Sequence, residues 1–112
     1  MTLMFKPEHV PLILDGRKTQ TRRMWKRRRT LPGSLHYAQT RMLDSSSRFA
    51  VLRIGRVWQE RLWDISAADA DAEGYPTQTA YLEAFARINK CKFADTLRLT
   101  VWAVEFKVEV IT

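Results

Sequence analysis

From Leu97 to Val110 apolar and polar residues alternate: Trp102, Val104, Phe106, Val108 and Val110 are interleaved with Ala103, Glu105, Lys107 and Glu109. A period of two predicts a strand with one buried face, carried by the even positions. Phe49 to Gln59 reads as a second long strand, with Gly55 placed for a bulge. Shorter strands are predicted over Ser34 to Tyr37, after the Pro32-Gly33 turn, and over Thr19 to Met24 as an edge. The pattern changes to helical spacing in three places. Lys6 to Asp15 sets Val10, Ile13 and Leu14 on one face and ends at Gly16, a position for a left-handed cap. Ser66 and Asp69 have the spacing of a capping box, and Gly74 closes the helix they begin. A further helix starts near Thr77 or Thr79, with Tyr81, Leu82, Phe85 and Ile88 as its apolar stripe. Asp44-Ser45-Ser46-Ser47 reads as a loop. Strands on either side of a helical middle make an α+β domain, most economically a small antiparallel sheet curled into a barrel.

Length and composition narrow this picture. The 112 residues fit one domain, residues 1–112, and 46% hydrophobic residues supply a core. No apolar stretch approaches the roughly 18 residues of a membrane span, and Met1 to Pro7 lacks the long apolar run of a signal peptide. Cys91 is the sole cysteine, so there is no internal disulfide. One thiol and two histidines cannot assemble a cysteine-based zinc site, and a reducing cytoplasm is the expected compartment.

Charge is sorted along the chain. The net charge is +7, and Arg17 to Arg29 holds eight cations with no acid. Residues 64–83 carry the counterweight of Asp64, Asp69, Asp71, Glu73 and Glu83. Such a balance favours polyanionic partners. Within the run, Trp25-Lys26-Arg27-Arg28-Arg29 couples a ring that can stack on a base to cations that neutralise phosphates. A solvated loop explains the same residues equally well.

Gly16-Arg17-Lys18-Thr19-Gln20-Thr21-Arg22-Arg23 is the richest segment chemically. Lys18, Thr21 and Arg23 can project toward one cavity if the chain bends at the start of the strand, because Lys18 and Thr21 have opposite parity. The bland alternative is a charged edge that resists aggregation. His36 and Tyr37 on the next strand are candidates to line the pocket beside Arg22 and Arg23. His9 is assigned no catalytic task, and Trp58, Trp63 and Trp102 are assigned to the core or a barrel rim. An indole buried there needs a hydrogen-bond partner.

The opening Phe5-Lys6-Pro7-Glu8, the Gly16-x-Lys18-x-x-Thr21-x-Arg23 segment, Ala70-Asp71-Ala72-Glu73-Gly74 and Val101-Trp102-Ala103-Val104-Glu105-Phe106 together resemble the ASCH-domain family across nearly the whole chain. The resemblance implies a PUA-like β-barrel, mixed or antiparallel, flanked by short helices, and a role with RNA or nucleosides. Many members carry Glu where Thr21 stands here. The Lys-x-x-Thr form with a downstream Glu is similar to the bacterial N4-acetylcytidine amidohydrolase branch, which implies Lys18, Thr21 and Glu73 as the catalytic set, without metal or cofactor. Amide hydrolysis needs a nucleophile, a base to activate it and an acid for the leaving amine. Thr21 supplies the hydroxyl. Lys18 is the base if burial and its cationic neighbours lower its pKa. Glu73 orients Lys18 or protonates the leaving nitrogen, with backbone amides near Thr21 as the expected oxyanion donors. In isolation, Glu73 reads as an ordinary ion-pair partner. The alternatives to an amidohydrolase are an RNA-binding module without catalysis and an ASCH-type ribonuclease.

Overall fold

The computed structural model describes residues 1–112, and its frame is one five-stranded mixed sheet in the order β1-β3-β4-β5-β2. The strands are β1 (Thr2–Met4), β2 (Gln20–Arg23), β3 (Leu35–Gln39), β4 (Arg48–Arg61) and β5 (Thr100–Ile111). Only the β1–β3 pair is parallel; β2–β5, β3–β4 and β4–β5 are antiparallel. β1 and β2 form the two edges and share no ladder, so the backbone does not close a barrel. Instead Arg23 on β2 sends its Nη2 to the carbonyl of Met4 on β1, at 2.6 Å.

Three helices pack around this sheet: α1 (Val10–Leu14), α2 (Ala67–Ala72) and α3 (Gln78–Ile88). α1 follows a 3₁₀ turn over Pro7–His9 and ends at Gly16, whose φ of +84° reverses the chain at little steric cost. α2 is capped by the Ser66 hydroxyl, which accepts from the Asp69 amide. The reciprocal half of the box is absent because the Asp69 carboxylate turns toward Gln20 and Arg22. Thr77 caps α3 by accepting from the Ala80 amide. The Asp44–Ser47 segment is a 3₁₀ turn rather than an open loop, held by the Asp44 carboxylate on the Ser46 amide.

The core has two parts. Leu3, Phe5, Ile13, Leu52, Ile54, Val104 and Phe106 fill the space between sheet and α1, and Phe5 meets Phe49 and Phe106 edge-on. Leu62, Ile65, Ala70, Tyr81, Leu82, Phe85 and Val101 fill the second, beneath α3. This second cluster corrects the expected burial of β5. Val101 and Ala103, at odd positions, are fully buried, Trp102 is half-buried and Val110 is exposed. Near its start, β5 is covered on both faces, because Val101 packs into the α3 cluster while Val104 and Phe106 face the α1 cluster. Toward Val110 the cover runs out and the alternation stops predicting burial. The bulge expected near Gly55 is present as a register shift between Ile54 and Val57. It brings Gly55 so close to Glu105 that a Cβ there would lie 2.8 Å from its carboxylate. Of the tryptophans placed in the core or rim, Trp63 is an exposed surface residue paired edge-on with Phe93. Trp58 lies under the guanidinium groups of Arg22 and Arg56. Trp102 has a buried Nε1 with no partner.

Candidate functional site

Lys18 sits in the bend the parity argument required. It lies before β2 begins, with its amide on the Leu12 carbonyl of α1, while the Thr19 amide donates to Ala72 at the end of α2. These two bonds fix the loop between the ends of two helices. Glu73 is the residue at which α2 stops, and Gly74, with φ of +99°, turns the chain away from it. The Lys18 side chain therefore points at Glu73. Both are buried, at 3% and 2% exposure. Nζ donates to Glu73 Oε1 at 2.8 Å, to the Glu73 carbonyl at 2.9 Å and to the Gln20 carbonyl at 2.9 Å. All three ammonium donors are thereby used. Burial pushes the Lys18 pKa below its ordinary value, with Glu73 acting in the opposite direction.

The other oxygen of Glu73 is also taken. Its Oε2 accepts from Arg22 Nη1 at 2.9 Å. Arg22 further donates to Glu60 Oε1, Gln20 Oε1 and Asp69 Oδ2, so four of its five N–H bonds go to protein oxygens. Burial works against its charge, but Glu73 and Glu60 raise its pKa overall. Arg22, expected from sequence to contact substrate, does line the cavity, but its guanidinium braces Glu73 and keeps one N–H for any ligand.

Thr21 and Arg23, two apart on β2, share the opposite face of the strand from Arg22. Thr21 Oγ1 accepts from Arg23 Nε at 2.9 Å, and no hydrogen bond joins Thr21 to Lys18. Arg23 lies over the Phe5 ring at 5.0 Å and forms no ion pair with any carboxylate. Burial pushes its pKa down.

These residues meet in a cavity of about 260 Å³ lined by Lys18, Thr21, Arg23 and Glu73, with Phe5, Tyr75, Tyr81 and Phe85 among its aromatic walls. His9, given no task from sequence, also lines it. Its Nε2 meets the Tyr75 hydroxyl at 2.9 Å, and desolvation together with the nearby Lys18 holds its pKa at about 4. A signal for His9 existed: it lies four residues before the buried Ile13, on the same helical face. Tyr81 was legible only as part of an apolar stripe.

His36 and Tyr37 are not in this cavity, contrary to the expectation. His36 Nδ1 lies 3.0 Å from the Met1 amine and 2.9 Å from its carbonyl, accepting from the one or donating to the other according to tautomer, and its Nε2 meets the Ser34 hydroxyl. Tyr37 is exposed, with Arg48 stacked 3.9 Å above its ring. Strand β3 lies on the far side of β1, and its parallel pairing with that edge directs these side chains elsewhere. Of the basic run, Lys26, Arg27, Arg28 and Arg29 are exposed without ion pairs, and Trp25 packs partly against the core. Trp25 and Arg29 line a second, larger cavity with Arg48, Met42 and Leu43, which meets the first at Met4 and Arg23. No three His, Cys, Asp or Glu side chains are placed to hold a metal ion.

Fold and site together describe a small α+β domain whose charged, aromatic-walled cavity opens beside a sheet edge. No protein-family model matches the chain, and no curated protein matches it in sequence. In three dimensions it is similar to a DUF984-family protein from Enterococcus faecalis V583, with a TM-score of 0.70 at 20% identity over 89% of this chain and 66% of that one. It is also similar to an ASCH domain from Lactobacillus crispatus JV V101, with a TM-score of 0.62 at 20% identity over 91% and 70% of the two chains. The fold is that of an ASCH domain, and the chain spans about two thirds of the length of these two proteins. No helix is long and apolar enough to cross a membrane.

Proposed function

We propose that this cavity hydrolyses the amide bond of an N4-acylated cytidine or related nucleoside, releasing cytidine and a carboxylate. The observation that carries this reading is the buried Lys18–Glu73 pair beside the Thr21 hydroxyl in one cavity. Burial moves the lysine toward the neutral amine that a base requires. In the reaction, Lys18 acts in its neutral form, having released one ammonium proton to solvent and with it one carbonyl contact, and takes the Thr21 Oγ proton as Oγ bonds to the acyl carbon. The bond from that carbon to N4 then breaks, and the Lys18 proton passes to N4, giving free cytidine and an acyl-Thr21 ester. Water attacks the ester; its proton returns through Lys18 to Oγ, and the carboxylate leaves. Glu73, with both oxygens accepting from cations, suits a positioning role on Lys18 better than that of an acid. The aromatic walls suit a planar base, and the volume lies near the lower end for small-molecule sites.

Ultraviolet-monitored hydrolysis of N4-acetylcytidine tests the reading. Wild type is expected to turn it over, and Lys18→Ala and Glu73→Ala are expected not to. Absence of turnover by folded wild type from neutral to mildly alkaline pH would overturn the proposal.

The second reading is an RNA-binding module, favoured by the second cavity, where Trp25, Arg29 and Arg48 adjoin the first site. Arg48 Nε there is buried without a partner. If this surface grips RNA, replacing Arg27, Arg28 and Arg29 by Gln weakens binding and flattens its salt dependence. Equal affinity of the triple variant at low salt would remove the basic run from the account.

A further inference from the structure

The hydrogen-bonding inventory of the first cavity is lopsided. Apart from the side-chain oxygen of the exposed Asn89, its main acceptors are already engaged. Both Glu73 oxygens accept from cations, the carbonyls of Gln20 and Glu73 accept from Lys18, and the Met4 carbonyl accepts from Arg23. What remains open is a set of donors. Arg23 uses Nε and Nη2 on protein oxygens, while its Nη1 has no partner. Thr21 Oγ1 accepts from Arg23, which leaves its own proton to give. The Tyr81 hydroxyl lines the same cavity and bonds to nothing, and burial with Glu73 nearby keeps it protonated well above its ordinary range.

Charge points the same way. Lys18 and Arg22 are answered by Glu73, Asp69 and Glu60, but Arg23 has no carboxylate. Arg23 is half-buried and has no ion-pair partner, so an anion that reaches its free Nη1 gains a charge-assisted hydrogen bond. The planar guanidinium fork matches a carboxylate better than a spherical ion. Beside it, Phe5, Phe85 and Ile88 supply an apolar wall suited to a short alkyl group.

We infer that Arg23, Thr21 and Tyr81 form a carboxylate site in this cavity, taking small aliphatic monocarboxylates. Its link to catalysis rests on the amidohydrolase reading. There Arg23 and Tyr81 hold the acyl oxygen as it becomes anionic, a task the sequence had left to backbone amides, while Thr21 Oγ is bonded to the acyl carbon; once Oγ regains its proton, all three retain the carboxylate product. The site itself stands on the unpaired donors alone.

The test is an NMR titration of wild-type protein with acetate and, separately, with its neutral isostere acetamide, at ionic strength held constant with chloride. Acetate is expected to shift cavity resonances saturably and to bind at least about tenfold more tightly than acetamide, the factor associated with one charge-assisted hydrogen bond. Arg23→Gln is expected to lose at least about the same factor. Should that variant fail to fold, the acetate–acetamide comparison on wild type decides the matter unaided. Equal binding of the two ligands overturns the inference, as does acetate shifting only the exposed Lys26–Arg29 resonances. Acetate preference without N4-acetylcytidine turnover keeps the carboxylate site and removes the amidohydrolase reading. Turnover without acetate preference does the reverse.

Discussion

Acid should unfold this protein partly through His9. The ring is packed against Tyr75, with Lys18 and Arg23 opposing its protonation and Glu8 and Glu73 favouring it, and its pKa falls from 6.5 to about 4. The unfolded chain therefore binds a proton near pH 6.5 that the folded chain refuses until about pH 4. Between those values the unfolded state holds more protons, so stability falls as pH falls. At about 1.36 kcal/mol per unit, the interval of 2.5 units has a ceiling of about 3.4 kcal/mol. His9 borders a cavity that admits solvent, so screening reduces the expected loss to about 1–2 kcal/mol. The perturbation is His9→Gln, which keeps a hydrogen-bonding group near Tyr75 and removes the titration. Urea unfolding of both proteins at pH 7, 5.5 and 4.5 isolates the term, because carboxylate titrations are common to both and cancel. Wild type should lose about 1–2 kcal/mol more than the variant over that range. Parallel loss in the two proteins would refute the reasoning.

The catalytic reading expects Glu73→Gln to lower kcat at least about 10²-fold. Because Glu73 raises the Lys18 pKa, its neutralisation should also shift the ascending limb of the pH–rate profile to lower pH, and a limb that stays in place would argue against Lys18 as the base. Arg22→Met leaves the buried Glu73 with Lys18 alone and takes the cation from Glu60 and Asp69 beside it, so urea unfolding at neutral pH should show a loss of about 3–5 kcal/mol. A loss below about 1 kcal/mol would mean the network relaxes with water. Gly74→Ala forces φ of +99° on an alanine whose Cβ would lie 3.0 Å from Leu12 Cδ1. Thermal unfolding should register a loss of at least about 1 kcal/mol, together with reduced turnover as Glu73 shifts.

Elements with strong local signals were legible in the sequence. Gly16 and Gly74 both adopt the positive φ that their positions after helices suggested, Ser66 supplies its half of the expected capping box, and the third helix starts at Thr77 as read. The conjunction of Lys18, Thr21 and Glu73 in one cavity was also readable, from the bend the parity required and the family pattern. What was not readable is set by long-range packing. No local pattern reveals that α3 covers Val101, which is why the parity of β5 misled. Nor does spacing say that β1 pairs with β3 in parallel, the arrangement that carries His36 and Tyr37 away from the site. Arg22 and Arg23 are adjacent and chemically identical in sequence. The pleat separates them, giving one to a network of carboxylates and leaving the other without a counter-charge.

The contact between Arg23 and the Met4 carbonyl places a side chain where a closed barrel would have a ladder. The cohesion of the sheet along that seam and the polarity of the cavity thus depend on one guanidinium. Any occupant that draws on Arg23 alters how firmly the first and second strands are held together. Occupancy should therefore be felt along the seam as slower amide exchange in β1 and β2, and loss of Arg23 should loosen both strands whether or not a ligand is present.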